Sequence, residues 1–398
     1  MHKRTLLSLT LLFITTITAS AKLPREAFCC VSIADIVIDP LGDTQSTHQQ
    51  IKDAYQQLPI SWGTDLKDKA ACPRAHQILL HEKVTIIDET DNEARIQVPQ
   101  CLMIQDGKIQ FVHGWTLKEN LCDITSLRDQ TALLPNNDNA LALASPYIDQ
   151  DGNFYSASTQ FFVIDQTTEN YYVAVFNPQN KEFKNLILPK TICSLESKQL
   201  PFHEQRELFC DLISLWANIP NACIPLVWGG ASIGQVWDYT DYYASTRSNN
   251  NEIFAVWDRP KYGNTLYMGV DASGAIFRAA QIVGIPYFCR NSNTTCVMLD
   301  PLGMNEWPQR GDLLWMPGSL SVIDLEQNTL ITAMSYTSGY GSLTELPLTA
   351  LIKDITTYAD LVHAYRAGKS LTLLNRDGSI ARTVDSFKIL KLESVLTT

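Results

Sequence analysis

Polar–apolar alternation governs the first half of the chain. Val31 to Ile38 alternates and stops at Asp39-Pro40, a turn pair, which predicts a half-buried strand. Gln49 to Leu58 reads as a short helix within an insertion. Gln77 to Asp88 and Ala94 to Val98 flank a polar tip, Glu89 to Glu93, as the arms of a hairpin do. His113 to Leu117 closes the group, and several short strands around a small core predict a β-barrel over residues 22–125. A second β-rich group, residues 139–195, has candidate strands at Ala140 to Ser145, Thr159 to Asp165, Tyr171 to Phe176 and Asn185 to Leu188.

The period changes after Pro201. Glu204 to Ala217 predicts a helix with Leu208, Leu212 and Leu215 on one face and Trp216 beside it, ended by Pro220. Ile224 to Ser232 is a strand interrupted by Gly229-Gly230, and residues 235–268 are aromatic, polar and irregular, as an insertion is. A strand then approaches Val270 and halts at Asp271. From there Ala272, Ile276, Ala280 and Val283 recur at helical spacing, which makes Asp271 an N-cap and the segment a buried helix. Gly311 to Met316, Ser321 to Leu325 and Thr329 to Ala333 read as successive antiparallel strands. The tail carries a helix, Tyr358 to Ala367, and a hairpin turned at Asp377-Gly378.

Composition narrows the setting. Residues 1–21 combine a basic start (His2, Lys3, Arg4), an apolar run from Leu6 to Ile17 and Ala19-Ser20-Ala21, the pattern of a cleaved secretory leader. The run is shorter than the roughly 20 residues a membrane span needs, and no second candidate follows, so the mature chain is expected to be exported to the periplasm or exterior without a membrane span. Formal charge is −11, and losing the two basic residues Lys3 and Arg4 takes it to −13. With no basic patch, nucleic acid is not an expected partner. Ten cysteines suit an oxidising compartment, either bridged or as buried thiols. Cys289 and Cys296 are spaced for a loop disulfide. No Cys/His group has zinc spacing, so neither a metal nor a cofactor is expected.

Five segments, in order, resemble the NlpC/P60 family of cysteine peptidases, papain-like α+β domains that cut bacterial cell-wall stem peptides. They are Leu226-Val227-Trp228-Gly229-Gly230, Asp271-Ala272-Ser273-Gly274, Gly284-Ile285 with Cys289-Arg290-Asn291-Ser292, Gly311-Asp312-Leu313-Leu314-Trp315, and Ser321-Val322-Ile323-Asp324 with Ile331-Thr332-Ala333. Gln77 to Val84 and Gly114-Trp115 are similar to the progression of a bacterial SH3 (SH3b) domain. The resemblance thus implies an α+β protein with two small SH3b-like β-barrels, the first at 22–125 with an insertion and the second at 139–195. A papain-like NlpC/P60 domain at 202–398 would follow, as in γ-D-glutamyl–diaminopimelate endopeptidases.

The departures from that family fall on its chemistry. The nucleophilic cysteine is Ala272 and the general-base histidine is Ser321. The residue that orients the base is Thr332, and the tyrosine expected near the oxyanion is Leu226. A Cys–His enzyme needs a thiolate to attack and an imidazole to sustain it, and Ser321 has no useful pKa near neutrality. Asn291 replaces the aspartate that helps hold the free amino end of the stem peptide. Residues that shape turns and caps remain: Trp228, Gly229, Gly230, Asp271, Ser273, Gly274 and Asp312. That division implies an inactive relative binding peptidoglycan fragments or an envelope protein, with Trp228, Asp271, Ser273, Arg290, Asn291 and Ser292 at the cleft. The alternatives are an active endopeptidase with rearranged residues, for which Ser273, Cys289 and His363 are the candidate groups, and a structural envelope protein.

Overall fold

The computed structural model describes residues 23–58, 73–135, 140–194, 200–220, 222–234, 236–237 and 268–397. The leader and nearly all of the 235–268 insertion lie outside the described residues. Strand residues outnumber helical ones, and the architecture is mixed α/β.

The first unit is a seven-stranded antiparallel sheet. Its strands are β1 (Arg25–Cys29), β2 (Ile33–Val37), β3 (Arg74–Leu79), β4 (Lys83–Glu89), β5 (Glu93–Gln105), β6 (Lys108–Leu117) and β7 (Leu121–Asp123), in the order β3-β2-β6-β5-β4-β1-β7. Helix α1 (His48–Gln56) falls where the sequence predicts it, closed by a capping box from Thr47 and Gln50. The segment expected as one strand from Gln77 to Asp88 is two, folded at Leu80–Glu82, where His81 adopts a positive φ of 71°.

Strand β5 runs well beyond the expected end at Val98. Its register against β6 breaks between Val98 and Leu102, and Pro99, which has no N–H to give a ladder, sits in the irregularity. The continuation has a different partner as well. Leu102 N donates to Phe288 O at 2.7 Å, and Arg290 N donates to Leu102 O at 2.6 Å, so the strand pairs in parallel with the segment after the central helix.

The second unit contains β8 (Ala140–Leu143), β9 (Tyr147–Ile148), β10 (Phe154–Tyr155), β11 (Gln160–Gln166), β12 (Asn170–Asn177), β13 (Glu182–Pro189) and β14 (Cys193–Ser194). Five of these form one sheet in the order β13-β12-β11-β8-β14, around a core of Leu141, Phe161, Tyr171, Val173 and Leu188. Tyr171 is therefore a core residue. Neither large sheet closes on itself through strand pairing among the described residues.

Helix α2 (Phe202–Ala217) opens the C-terminal unit. Its inward face is not the expected one: Phe209, Cys210, Leu212, Ile213 and Trp216 are buried, whereas Leu208 and Leu215 are exposed. Trp216 decides the rotation, because its ring is too large to leave in water and its Nε1 finds a partner in Ala144 O at 3.0 Å. Short pairs follow, β15 (Ala222–Cys223) with β17 (Val236–Trp237) and β16 (Ala231–Ser232) with β18 (Gly269–Val270). Helix α3 (Ala272–Val283) starts at the predicted Asp271 cap and ends on Gly284. After α4 (Ser292–Met298) come β19 (Leu313–Met316), β20 (Ser319–Asp324), β21 (Thr329–Ala333) and β22 (Leu343–Pro347). Then follow α5 (Leu348–Leu351), α6 (Tyr358–Arg366), the hairpin β23 (Leu371–Leu374) and β24 (Ile380–Val384), and β25 (Lys388–Leu390). The sheet order here is β22-β21-β20-β19-β25.

One apolar core runs through the first and last units. It joins Ala27, Ile36, Ile78, Ile96 and Val112 of the first sheet to Phe209, Trp216, Ile276, Ala280 and Val322. A separate core under α6 collects Leu314, Ile323, Leu330, Leu361 and Ile389. Burial of α3 is nearly complete, and it includes Arg278, whose charge is answered from the first unit.

Candidate functional site

The site is assembled around the start of α3. Two backbone segments cross beneath it: Val227 N donates to Val270 O and Val270 N to Pro225 O, each at 3.0 Å, so Leu226 and Val270 run in parallel. The chain then turns through Trp228-Gly229-Gly230. Gly229 has a φ of +70°, and a Cβ there would collide with the carbonyl oxygen of Arg74, so only glycine fits between the turn and β3. Gly274, in the first turn of α3, lies so close to the Gly230 carbonyl that a methyl would displace backbone. These glycines let strand, turn and helix approach without side chains between them.

Asp271 is the hub. Its carboxylate accepts from Gly274 N at 2.7 Å, Ser273 Oγ at 2.8 Å and Gly229 N at 3.0 Å. Arg290 adds a two-pronged ion pair, Nη1 to Oδ1 at 2.7 Å and Nη2 to Oδ2 at 2.9 Å. The fully buried guanidinium also donates to Gly230 O and to Ser273 Oγ, and its Nε donates to His76 Nδ1 at 3.1 Å. Burial pulls the Arg290 pKa down, but the charge and hydrogen bonds of Asp271 outweigh it, and the net displacement is upward.

Of the residues expected at the cleft, Asp271, Ser273, Arg290 and Asn291 are brought into direct contact. Ser273 Oγ gives its proton to Asp271 and receives donors from Arg290 and Asn291 N, the last at 3.2 Å. That hydroxyl is part of the scaffold, with its proton directed at a carboxylate already holding an arginine. Asn291 has a positive φ of 72° and spends its Oδ1 on Thr294 N and Oγ1, capping α4. Ser292 is the first residue of that helix and half-buried. Trp228 is 36% exposed, and its carbonyl accepts from Arg74 Nη1 at 3.2 Å.

The four positions that the sequence resemblance assigns to catalysis hold Ala272, Leu226, Ser321 and Thr332. Ala272 is half-buried against the main core, a methyl at the first residue of the helix. Leu226 is buried. Ser321, opposite Leu314 in the ladder, is buried with an Oγ that makes no hydrogen bond, and Thr332 Oγ1 is used on Leu320 O at 2.7 Å. Asp312 spans the end of the sheet, accepting from Gln309 N and Leu392 N, and burial raises its pKa to about 6.

The rearranged chemistry considered from sequence does not assemble. His363 is exposed on α6. Cys289 and Cys296 are free thiols, not the expected loop disulfide, and all nine described cysteines are free. Burial pushes the Cys289 and Cys101 thiols up to about 12, which makes them poor nucleophiles at neutral pH.

Sequence reasoning missed His76. It comes from β3 and packs edge-on against Phe277 on α3, with its Nδ1 on Arg290. Burial, then Arg290 and Arg278, hold its pKa well below the usual 6.5, and Arg290 occupies the lone pair that a base would use. It is no general base for Ser273. The only cue in the sequence was its place next to Gln77, the start of the SH3b-like progression. Among the described residues no group of three or more His, Cys, Asp or Glu side chains is arranged to hold a metal, and no helix is long and apolar enough to cross a membrane.

The fold has a counterpart among solved structures. The chain is similar to an NlpC/P60 family protein from Bacillus cereus ATCC 10987, at 16% identity over 84% of this chain and 97% of that one, with a TM-score of 0.54. NlpC2 from Trichomonas vaginalis matches at 9% identity, 83% and 95% coverage and a TM-score of 0.31, too loose to bear on the fold. At 16% identity what is shared with the Bacillus protein is the fold. No family model and no curated protein matches the chain.

Proposed function

We propose that this chain is an exported, catalytically inactive NlpC/P60-like protein that binds peptidoglycan stem peptides or an envelope partner at the cleft around Trp228 and Ala272. In this reading the two sheet units are SH3b-like modules at 22–125 and 139–195, and the peptidase-like domain spans 202–398. The observation that carries it is Ala272: the first residue of the buried helix, where a nucleophile would meet converging N–H groups, is a methyl. Around it, Ser273 and Arg290 are committed to Asp271, and the buried Ser321 Oγ makes no hydrogen bond.

Affinity for a stem peptide is expected to be modest. The Asn291 carbonyl oxygen is already used as a helix cap, so a peptide ammonium meets no free carboxylate at that position. Co-sedimentation with purified sacculi, followed by calorimetry with L-Ala-γ-D-Glu-diaminopimelate, tests the proposal. We expect saturable binding, weakened about tenfold in Trp228→Ala, roughly the 1.4 kcal/mol of one aromatic contact. Absence of binding to both sacculi and envelope extract would favour a purely structural role.

A further inference from the structure

One hairpin of the first unit, β3–β4, reaches both of its neighbours, and each of the two contacts it makes contains a buried histidine held in a neutral form. We infer that His76 and His81 form an acid-sensitive latch: protonating them opens the seams that the first unit makes with the C-terminal unit and with the second sheet. The inference is independent of what the cleft binds.

His81 occupies the hairpin turn and is almost fully buried. Its Nδ1 donates to Gln160 O at 3.0 Å, and its Nε2 accepts from Phe176 N at 3.1 Å, both on the second sheet. One acceptor and one donor from the backbone fix one tautomer, with the proton on Nδ1. The rings of Phe28, Phe161 and Phe183 surround it, so the described partners of this imidazole are all uncharged. A proton added at Nε2 would face the Phe176 N–H and have no acceptor.

His76 is wholly buried on the opposite seam. Its Nδ1 must carry the lone pair that receives Arg290 Nε–H. The charged side chains acting on it are Arg290 and Arg278, both cations, whose own partners are Asp271 and Glu82. Its other nitrogen, Nε2, is buried with no hydrogen-bond partner. An imidazolium there sets N–H against N–H and a third positive charge beside two others, in surroundings that cannot solvate it. Five residues apart on one hairpin, the two rings therefore fail together, each at a different seam.

Desolvation lowers the pKa of both, His81 to about 4 and His76 well below 6.5. The opened state, with rings in water, takes up protons near 6.5. Its proton affinity exceeds that of the closed state, so the stabilisation is full above pH 6.5 and is lost as pH falls toward 4. Two protons enter together, which steepens the transition relative to one.

Hydrogen exchange on the full chain, stepped from pH 7.5 to 4 and corrected for the intrinsic rate, reads the seams directly. Amides of Leu102, Arg290 and Phe176 are expected to lose protection between pH 6 and 4 while the interior of the α6 core stays protected. The variant His76→Gln with His81→Gln keeps an acceptor at each site and removes the titration. Its opening midpoint is expected to fall by about one pH unit. Identical curves for variant and parent overturn the latch, since the loss would then come from carboxylates. Should the variant not fold at pH 7.5, ring ¹⁵N shifts of the parent chain decide. Both imidazoles staying neutral until the seams open is the expected result. Either ring becoming charged near pH 6.5 with the seams still protected overturns it.

Discussion

Replacing Arg278 by alanine is expected to cost about 3–5 kcal/mol of unfolding free energy, the range for removing one partner of a buried ion pair. The side chain is fully buried on α3 and reaches into three elements at once. Its Nε donates to Ala231 O at 2.6 Å, Nη2 to Gln77 O at 2.8 Å, and Nη1 to Gln281 Oε1 at 2.8 Å, while Glu82 supplies the counter-charge. Truncation strips two backbone carbonyls of their donor and leaves Glu82 without its cation. Glu82 itself holds Leu79 N at 2.8 Å, so the damage extends into the β3–β4 hairpin. Arg278→Lys should recover only part of the loss, because a point charge cannot serve Ala231, Gln77 and Glu82 from one position. Urea denaturation followed by far-UV circular dichroism measures both; a change below about 1 kcal/mol in Arg278→Ala would show that the seam does not depend on this residue.

Arg290→Ala should be of similar size, about 3–5 kcal/mol, for a related reason. Its two-pronged pair with Asp271 organises the start of α3, and the same guanidinium satisfies Gly230 O, Ser273 Oγ and His76 Nδ1. Without it, Asp271 remains the N-cap but becomes a carboxylate with no cation in contact. A second consequence separates this variant from Arg278→Ala. Arg290 is the first charge, after burial, that holds His76 in its neutral form, and it occupies the ring lone pair. Its removal should bring the His76 titration back toward the ordinary 6.5, which narrows the gap in proton affinity between closed and open states and so reduces the share of the acid-driven loss of stability that His76 contributes. A variant as stable as the parent, or one with an unchanged acid profile, would contradict the role given to this network.

The elements legible in the sequence are those whose local chemistry and tertiary role agree. Asp271 reads as a cap and Ala272 to Val283 as an apolar helix, and both hold because nothing at long range opposes them. Reading failed where a distant partner decides. The choice between Leu208 and Phe209 as the inward face of α2 is made by the large residues Phe209 and Trp216, the latter anchored on Ala144 seventy-two positions away. The extension of β5 past Pro99 was hidden because proline normally argues against a strand, and its continuation pairs with Phe288–Arg290 instead of a sheet neighbour. His76 went unnoticed for the same reason: the chain gives no local sign that residue 76 will meet residue 290. That Ala272, Ser321 and Leu226 stand where the resemblance expects a cysteine, a histidine and a tyrosine is a matter of residue identity, and it is carried into the proposed function.

The account rests on the claim that the site at Ala272 performs no hydrolysis. Incubating the mature chain with L-Ala-γ-D-Glu-diaminopimelate and following L-Ala-D-Glu by mass spectrometry tests it most directly. Loss of nucleophile and base together, each worth on the order of 10⁶-fold in a comparable triad, predicts no product above the protein-free control. Release of the dipeptide that disappears in Ser273→Ala or in Cys289→Ala would contradict it.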